Sequence, residues 1–141
     1  MDILYGNCAG LDVHKASVFA CRIYPNADGE VMSEVRKFGT FTGELLLLSD
    51  WLREAQVTHV AMESTGEYWK PIYNVLEGQF ELVVANAYHL KNVPGRKTDV
   101  KDAEWIAQLL RHGLVKASFV PSQTQRDLRE LTRLRTTIVE D

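Results

Sequence analysis

The first forty residues of the chain contain three stretches in which apolar and polar residues alternate, and this pattern most restricts the folds available to it. Residues 10–14, 17–24 and 31–38 have the period of two that is typical of strands. Residues 15–16 and 25–29 separate them, and the second linker contains the turn-forming residues Pro, Asn, Asp and Gly. Because linkers this short join antiparallel neighbours, the sequence predicts a three-stranded meander.

Helical and strand patterns alternate after the meander. Apolar residues recur at helical spacing within residues 42–55, whereas residues 58–62 and 80–85 are short, apolar and suited to buried strands. Strands separated by a helical segment are typical of parallel pairing, which needs a long connection. The order of elements therefore predicts an α/β fold with a mixed five-stranded sheet and flanking helices.

Local residue patterns indicate where the later helices begin and end. Ser64 and Glu67 form a capping box, which predicts a helix from there to about residue 78. Residues 88–98 are basic and contain Pro and Gly, so we expect a loop. A further helix should end at Gly113, because one apolar stripe runs up to that glycine. The stripe consists of Val100, Ala103, Ala107 and Leu110.

Length and composition fit one soluble domain. The chain has 141 residues, of which 45% are hydrophobic and 25% charged, values typical of a globular protein. The longest apolar run, at residues 45–48, is too short to span a bilayer, and the N-terminus lacks a signal-peptide pattern. We therefore expect a cytoplasmic protein without membrane contact. Cys8 and Cys21 form no CxxC pair and are expected to be reduced, half-buried thiols.

Charge is distributed unevenly along the chain. The net charge is −3, but residues 1–85 contain 6 basic and 12 acidic side chains, whereas residues 86–141 contain 10 basic and 7 acidic side chains. Such asymmetry is expected if the second part of the chain approaches phosphates. Uneven charge on an ordinary solvated surface is the alternative.

Four acidic residues stand where the secondary structure does not require an acid. Asp12 interrupts an apolar strand, from which aspartate is usually depleted, and Glu63 ends a strand that is otherwise apolar. Asp99 and Asp102 are three residues apart, which places both on one side of a helix start. Each has an ordinary alternative, at a turn or a helix N-terminus, but those alternatives are weaker for all four together.

Clustered carboxylates repel one another and need cations between them unless they are exposed. Mg²⁺ prefers oxygen ligands, and two such ions about 4 Å apart can activate a nucleophile and stabilise the leaving oxygen in phosphoryl transfer. Three or four carboxylates from separate strands and a helix would supply that site. The sequence contains no histidine pair or cysteine cluster that would favour zinc.

Basic residues surround the last two acids. Arg96, Lys97 and Lys101 flank them, and Lys91 precedes them in the predicted loop. This arrangement favours contacts with the phosphates of a nucleic acid, with a solvated basic face as the alternative.

Aromatic residues and a histidine near the acids have structural interpretations. Tyr68, Trp69 and Tyr73 could stack on bases, but apolar residues at helical spacing in this segment favour packing into the core. His14 is expected on the same strand face as Asp12, and we interpret it as a supporting residue rather than a metal ligand.

Four segments of the sequence resemble the motifs of DEDD-type insertion-sequence transposases and the related Piv-type DNA invertases. They are GLDVHK at 10–15, AMESTGEYW at 61–69, GRKTDVKDAEWIAQLL at 95–110 and SFVPSQTQRDLRELTRLR at 118–135. The resemblance implies an RNase H-like domain similar to the RuvC Holliday-junction resolvase. It also implies four Mg²⁺-binding catalytic acids, with Mn²⁺ as a substitute, at Asp12, Glu63, Asp99 and Asp102. The expected function is phosphoryl transfer on DNA strands during transposition or site-specific recombination.

The resemblance also implies a further domain. Members of this family carry the DNA-attacking serine in a C-terminal domain, and Ser64 and Ser122 are better explained as helix caps. We therefore expect a catalytic domain at 1–120 and, at 121–141, the start of a long, coiled-coil helix leading to a domain that is absent here. This fragment should be inactive alone. Apolar residues along the last helix predict a homo-oligomer, and the resemblance leaves open a guide RNA as a further partner.

Other functions fit the pattern less well. A structure-specific nuclease of the RuvC type shares the fold and the acids. A nucleic-acid-binding or dimerisation module could keep the fold without turnover, yet its sequence would tolerate the loss of an acid and all four are present. An actin-like ATPase also opens with an aspartate before a hairpin, but it needs two lobes and Gly-rich phosphate loops, which 141 residues cannot supply.

Overall fold

A computed structural model describes residues 3–63, 66–96 and 101–115 of the chain. Three strands come first, and helices and strands then alternate as expected from the sequence, with one additional short helix at residues 87–91. The elements are β1 (Cys8–Val13), β2 (Ser17–Pro25), β3 (Val31–Gly39), α1 (Thr42–Glu54), β4 (His59–Glu63), α2 (Trp69–Leu76), β5 (Glu81–Ala85), α3 (Ala87–Lys91) and α4 (Asp102–Arg111). The helix predicted at 121–141 lies outside the described residues.

The five strands form one sheet in the order β3-β2-β1-β4-β5. The first three pair antiparallel as a meander, while β1 and β4, and β4 and β5, pair parallel. This arrangement confirms the predicted mixed five-stranded sheet. It also places β1 at the centre, with neighbours that run in opposite directions.

Two apolar layers cover the two faces of the sheet because successive side chains of each strand point to opposite sides. Leu11 and Val60 belong to the cluster that packs with α1 and α2. Cys8 and Ala61 belong to the other cluster, whose helical members come from α3 and α4. Asp12 and Glu63 are an even number of residues from Cys8 and Ala61 on the same strands. Their side chains therefore point to the side of the sheet that α4 covers.

Helix α4 packs directly on the backbone of β1 at Gly10. A Cβ atom added to this glycine would lie 2.4 Å from the Ala103 carbonyl oxygen and 2.4 Å from the Ala107 backbone nitrogen. Only glycine allows so close an approach of helix and strand. Next to this contact, the Cys8 thiol donates to the Ala107 carbonyl oxygen at 3.6 Å.

The C-terminal end of α4 is closed by local and distant contacts. Gly113 has φ 72°, and the backbone amides of Gly113 and Leu114 donate to the Leu110 and Leu109 carbonyls, which is the Schellman pattern. This confirms the predicted helix end. The amides of Leu4 and Tyr5 donate to the Arg111 carbonyl at 2.8 and 3.1 Å, so the N-terminal segment fastens the same helix end.

A buried guanidinium ties the meander to α1. Arg22 is 7% exposed, and it donates to the Trp51 carbonyl at 2.7 Å and to the Glu34 carboxylate at 2.8 Å. The Tyr24 hydroxyl donates to the same Glu34 oxygen at 2.6 Å. Because the cation is hydrogen-bonded on both sides, its burial is compensated.

Two local predictions are wrong. Helix α2 begins at Trp69 instead of near residue 64, and Glu67 pairs with Lys70. Ser64, the other residue of the predicted capping box, lies outside the described residues. Gly66 has φ 63°, a left-handed conformation that a helix cannot include, so the helix starts after it. The expected loop at 88–98 contains the end of α3, whose start is capped by the Asn86 side chain.

The cysteines are more buried than expected. Cys8 and Cys21 are both free thiols with no exposed surface, whereas the sequence predicted half-buried ones. Cys8 lies opposite Ile23 and Cys21 opposite Gly10, so the two do not face each other across the hairpin. Burial raises the pKa of Cys8 to about 12 and that of Cys21 to about 11. No helix among the described residues is long and apolar enough to cross a membrane.

Candidate active site

Asp12 and Glu63 lie side by side at the same edge of the sheet. Strands β1 and β4 run parallel with Leu11 opposite Met62, and one residue further along each strand Asp12 is next to Glu63. Both side chains continue the α4-facing register of Gly10 and Ala61. Each carboxylate is partly shielded, and the side chain of Asp12 is only 15% exposed. Two acids are thus presented by the two central strands to one side of the sheet.

Helix α4 brings a third acid to this edge. Asp102 is its first residue, and the helix packs on β1 through Gly10. The positive end of the helix dipole stabilises a carboxylate at this position. The Asp102 carboxylate accepts a hydrogen bond from the Arg96 guanidinium, with side-chain exposures of 55% and 34%. An arginine from the preceding segment therefore partly neutralises this acid.

The three acids line one open cleft of about 350 Å³. Its described walls are both polar and apolar: Asp12, Val13, His14, Lys15, Glu63, Gly66, Tyr68, Leu90, Arg96, Asp102, Trp105 and Ile106. Three carboxylates and two basic side chains, those of Lys15 and Arg96, are among these residues. The described part of the cleft is therefore net negative, and a phosphate would need an additional cation to enter it.

His14 orients Asp12 from the turn that follows β1. Its Nε2 atom lies 3.1 Å from Asp12 Oδ2, and its ring meets Phe19 edge to face with centroids 5.9 Å apart. The contact engages one oxygen of the carboxylate, Oδ2. Such an outer contact fixes the orientation of a ligating carboxylate, which fits the interpretation of His14 as a supporting residue.

The donor chemistry of the cleft fits a hard cation, but its side chains do not enclose one. Oxygen atoms from Asp12, Glu63 and Asp102 are the kind of ligand that Mg²⁺ prefers. Among the described residues, however, no group of three or more His, Cys, Asp or Glu side chains is arranged to hold a metal ion. Asp102 is instead engaged by Arg96, and Asp99 lies outside the described residues.

One of the four residues predicted to contact phosphates is placed in the cleft by the described part of the chain. Arg96 lines it, and Lys101 is the exposed N-cap residue of α4 without lining it. Lys91 is the last residue of α3, and Lys97 lies outside the described residues. Lys15, which the sequence analysis did not select, also lines the cleft. It directly follows His14 at a tight turn, and that position was its only signal in the sequence.

The aromatic residues of the second motif divide into two groups. Trp69 and Tyr73 pack against the core as predicted, and their rings meet nearly perpendicular at 5.7 Å. Tyr68 is different, because it is 49% exposed and lines the cleft. The prediction of core packing is therefore wrong for Tyr68, which precedes the first turn of α2 and so falls off its buried face.

Comparisons with known proteins give a family and a fold. A family model described as a transposase, of the DEDD type, matches residues 9–141. The structure of Thermus thermophilus RuvC superimposes with a TM-score of 0.53 and 13% identity, covering 79% of this chain and 99% of that one. RuvC of the same species in complex with a Holliday junction substrate gives a TM-score of 0.51 and 12% identity at the same coverage. A search of curated protein sequences found no match. The two structures confirm the RuvC-like, RNase H-like fold.

Proposed function

Because the chain belongs to the DEDD transposase family, we propose that it is a metal-dependent catalytic domain for phosphoryl transfer on DNA strands. One observation carries the proposal. Asp12 and Glu63 lie next to each other at the ends of parallel strands, and α4 brings Asp102 to the same cleft. Three acids from three elements thus meet in one cleft.

The cleft residues have separate roles in this proposal. Asp12, Glu63 and Asp102, together with Asp99, would hold Mg²⁺ or Mn²⁺. When bound, these ions lower the pKa of a nucleophile and neutralise charge on the phosphoryl group. His14 holds Asp12 in one orientation through Oδ2. Arg96 neutralises Asp102 before binding and can transfer its hydrogen bonds to a phosphate, since guanidinium binds carboxylate and phosphate in the same geometry.

We further propose, from the resemblance, that residues 1–120 form this catalytic domain and that residues 121–141 lead to a further domain with the attacking serine. The RuvC structure with a Holliday junction supports DNA as the class of substrate only by analogy of fold. A homo-oligomer through the last helix belongs to the same proposal.

The experiment measures metal binding and separates the acids from the rest of the surface. Thermal unfolding is followed against Mn²⁺ for the parent chain, Asp12→Asn, Asp102→Asn and a control, Asp50→Asn. Asp50 is an exposed acid of α1 that pairs with Arg53 and does not line the cleft. At an ion concentration 100 times the dissociation constant, binding to the folded state alone should stabilise it by about 2.7 kcal/mol.

We expect the parent chain and Asp50→Asn to show the full stabilisation, and both cleft variants to show much less. Equal responses in all four proteins would remove the metal site from the proposal. If no protein responds to Mn²⁺ but the chain still binds DNA, the alternative of a nucleic-acid-binding module without turnover replaces it.

A further inference from the structure

The exposed tyrosine at the start of α2 is the feature of the cleft that the proposed chemistry does not use. The neighbouring aromatics Trp69 and Tyr73 are packed into the core, whereas nearly half of the Tyr68 side chain is exposed. Gly66 turns the chain with φ 63°, and a Cβ atom added to it would lie 3.9 Å from Tyr68 Cδ2, so the ring lies next to this turn. The turn thus directs one aromatic ring to the cleft instead of the core.

The chemical surroundings of this ring restrict what it can bind. Tyr68 shares the cleft with three carboxylates and with the cations of Lys15 and Arg96. An aromatic ring that is exposed beside charged side chains can stack on a planar group of a ligand while those side chains bind the charged groups of the same ligand. Nucleobases on a phosphate backbone have this composition, and base–aromatic stacking tolerates any base. In an intact duplex the base faces are already stacked, so a base must be unpaired to use the ring.

We propose that Tyr68 is a stacking platform for an unpaired base of the DNA strand whose phosphate enters the acidic cleft. This inference rests on the proposed function and adds the form of the substrate, a locally single-stranded or unstacked one. The side chains of Lys15 and Arg96, which both line the cleft, are suited to the phosphates of that strand.

The test compares binding of one labelled oligonucleotide as a single strand and as a duplex, with Ca²⁺ present. The variants are Tyr68→Ala, Tyr68→Phe and a control, Tyr88→Ala. Tyr88 is a tyrosine of α3 that is 78% exposed but does not line the cleft. We expect Tyr68→Ala to weaken single-strand binding about 5- to 100-fold and duplex binding little. Tyr68→Phe keeps the ring and should bind as the parent does, as should Tyr88→Ala.

Three results with the variants would overturn the proposal. The first is that Tyr68→Ala binds the single strand as the parent does, and the second is that it loses affinity equally for single strand and duplex. The third is that Tyr68→Phe loses as much single-strand affinity as Tyr68→Ala, which would assign the effect to the hydroxyl group. A parent chain that binds neither form of DNA also overturns it. Stabilisation of Tyr68→Ala by Mn²⁺ is measured in parallel. A retained metal response with unchanged DNA binding refutes the stacking role alone, whereas selective loss of single-strand binding without any metal response refutes only the metal-dependent chemistry.

Discussion

Replacing Gly10 with alanine tests whether the direct contact between α4 and β1 positions the acidic cleft. The new Cβ would lie 2.4 Å from two backbone atoms of α4, which cannot rotate away as a side chain can. Non-bonded carbon contacts are most favourable near 3.5 Å, so the helix must retreat by about 1 Å. Asp102 is on that helix, whereas Asp12 is on the strand that stays behind.

The displacement should affect both stability and the site. Overpacking of a closely packed core usually costs about 1 to 3 kcal/mol of unfolding free energy. The cost of this substitution belongs at the upper end, because both atoms that clash with the new Cβ are backbone atoms. A cost of about 3 kcal/mol should lower Tm by about 10 °C in a domain of this size. A shift of about 1 Å between catalytic groups can reduce the rate of a reaction about 100-fold.

Urea unfolding and stabilisation by Mn²⁺ measure the two effects separately. Gly43→Ala is the matched control, because an alanine Cβ there would meet nothing within 4 Å and the residue lies in the first turn of α1. Alanine favours a helix over glycine, so this variant should be neutral or slightly more stable. An unfolding free energy and a metal response of Gly10→Ala that equal those of the parent chain would refute the role of the contact.

Three further predictions concern other contacts. The hydrogen bond from the Tyr24 hydroxyl holds the pKa of Glu34 below its ordinary value. The ionised Glu34 carboxylate therefore stabilises the folded state at any pH above its pKa in the unfolded chain. This stability is lost as the pH falls through the pKa of Glu34 in the folded protein. In Glu34→Gln, urea unfolding between about pH 7 and about pH 3 should show a smaller loss of stability than in the parent, and identical pH profiles would contradict the prediction. Because burial raises the pKa of Cys8 to about 12 and that of Cys21 to about 11, neither thiol should be alkylated at about pH 8 until urea unfolds the chain. Rapid labelling of the folded protein would argue against their burial. His14→Gln should weaken Mn²⁺ binding about 10-fold without changing the unfolding midpoint in the absence of metal. A loss of stability that is the same with and without Mn²⁺ would make the contact between His14 and Asp12 a purely structural one.

The strands and long helices could be predicted because their signals are local. Alternation fixes the faces of β2 and β3, and Gly113 marks a helix end by its own backbone freedom. The short elements were missed for the opposite reason. Helix α3 has five residues, too few to be stable alone, and depends on Leu90 packing into the α4-side core. Its one local signal was the capping residue Asn86.

The three acids that line the cleft stand out in the sequence because each is out of place locally, as an aspartate within an apolar strand is. Membership of the cleft could not be predicted for Lys15 and Tyr68, because it depends on how distant elements meet. Lys15 lines the cleft only because β1 ends where α4 begins, and Tyr68 only because Gly66 turns the chain there. The pairing of Arg96 with Asp102 is likewise a tertiary contact without a periodic signature.

The packing of α4 on β1 also determines when the domain can assemble during synthesis. The two strands that carry Asp12 and Glu63 are translated early, but the α4-facing side of β1 waits for a helix about a hundred residues further along, as the contact between Cys8 and Ala107 shows. Until that helix leaves the ribosome, the apolar face of the central strand has no cover and is open to wrong pairing. A polypeptide released early in translation consequently lacks both α4, which covers this face of the sheet, and the third acid, Asp102. The same late step that buries the nascent sheet brings Asp102 to the other two acids, so an incomplete product lacks the assembled acidic cleft.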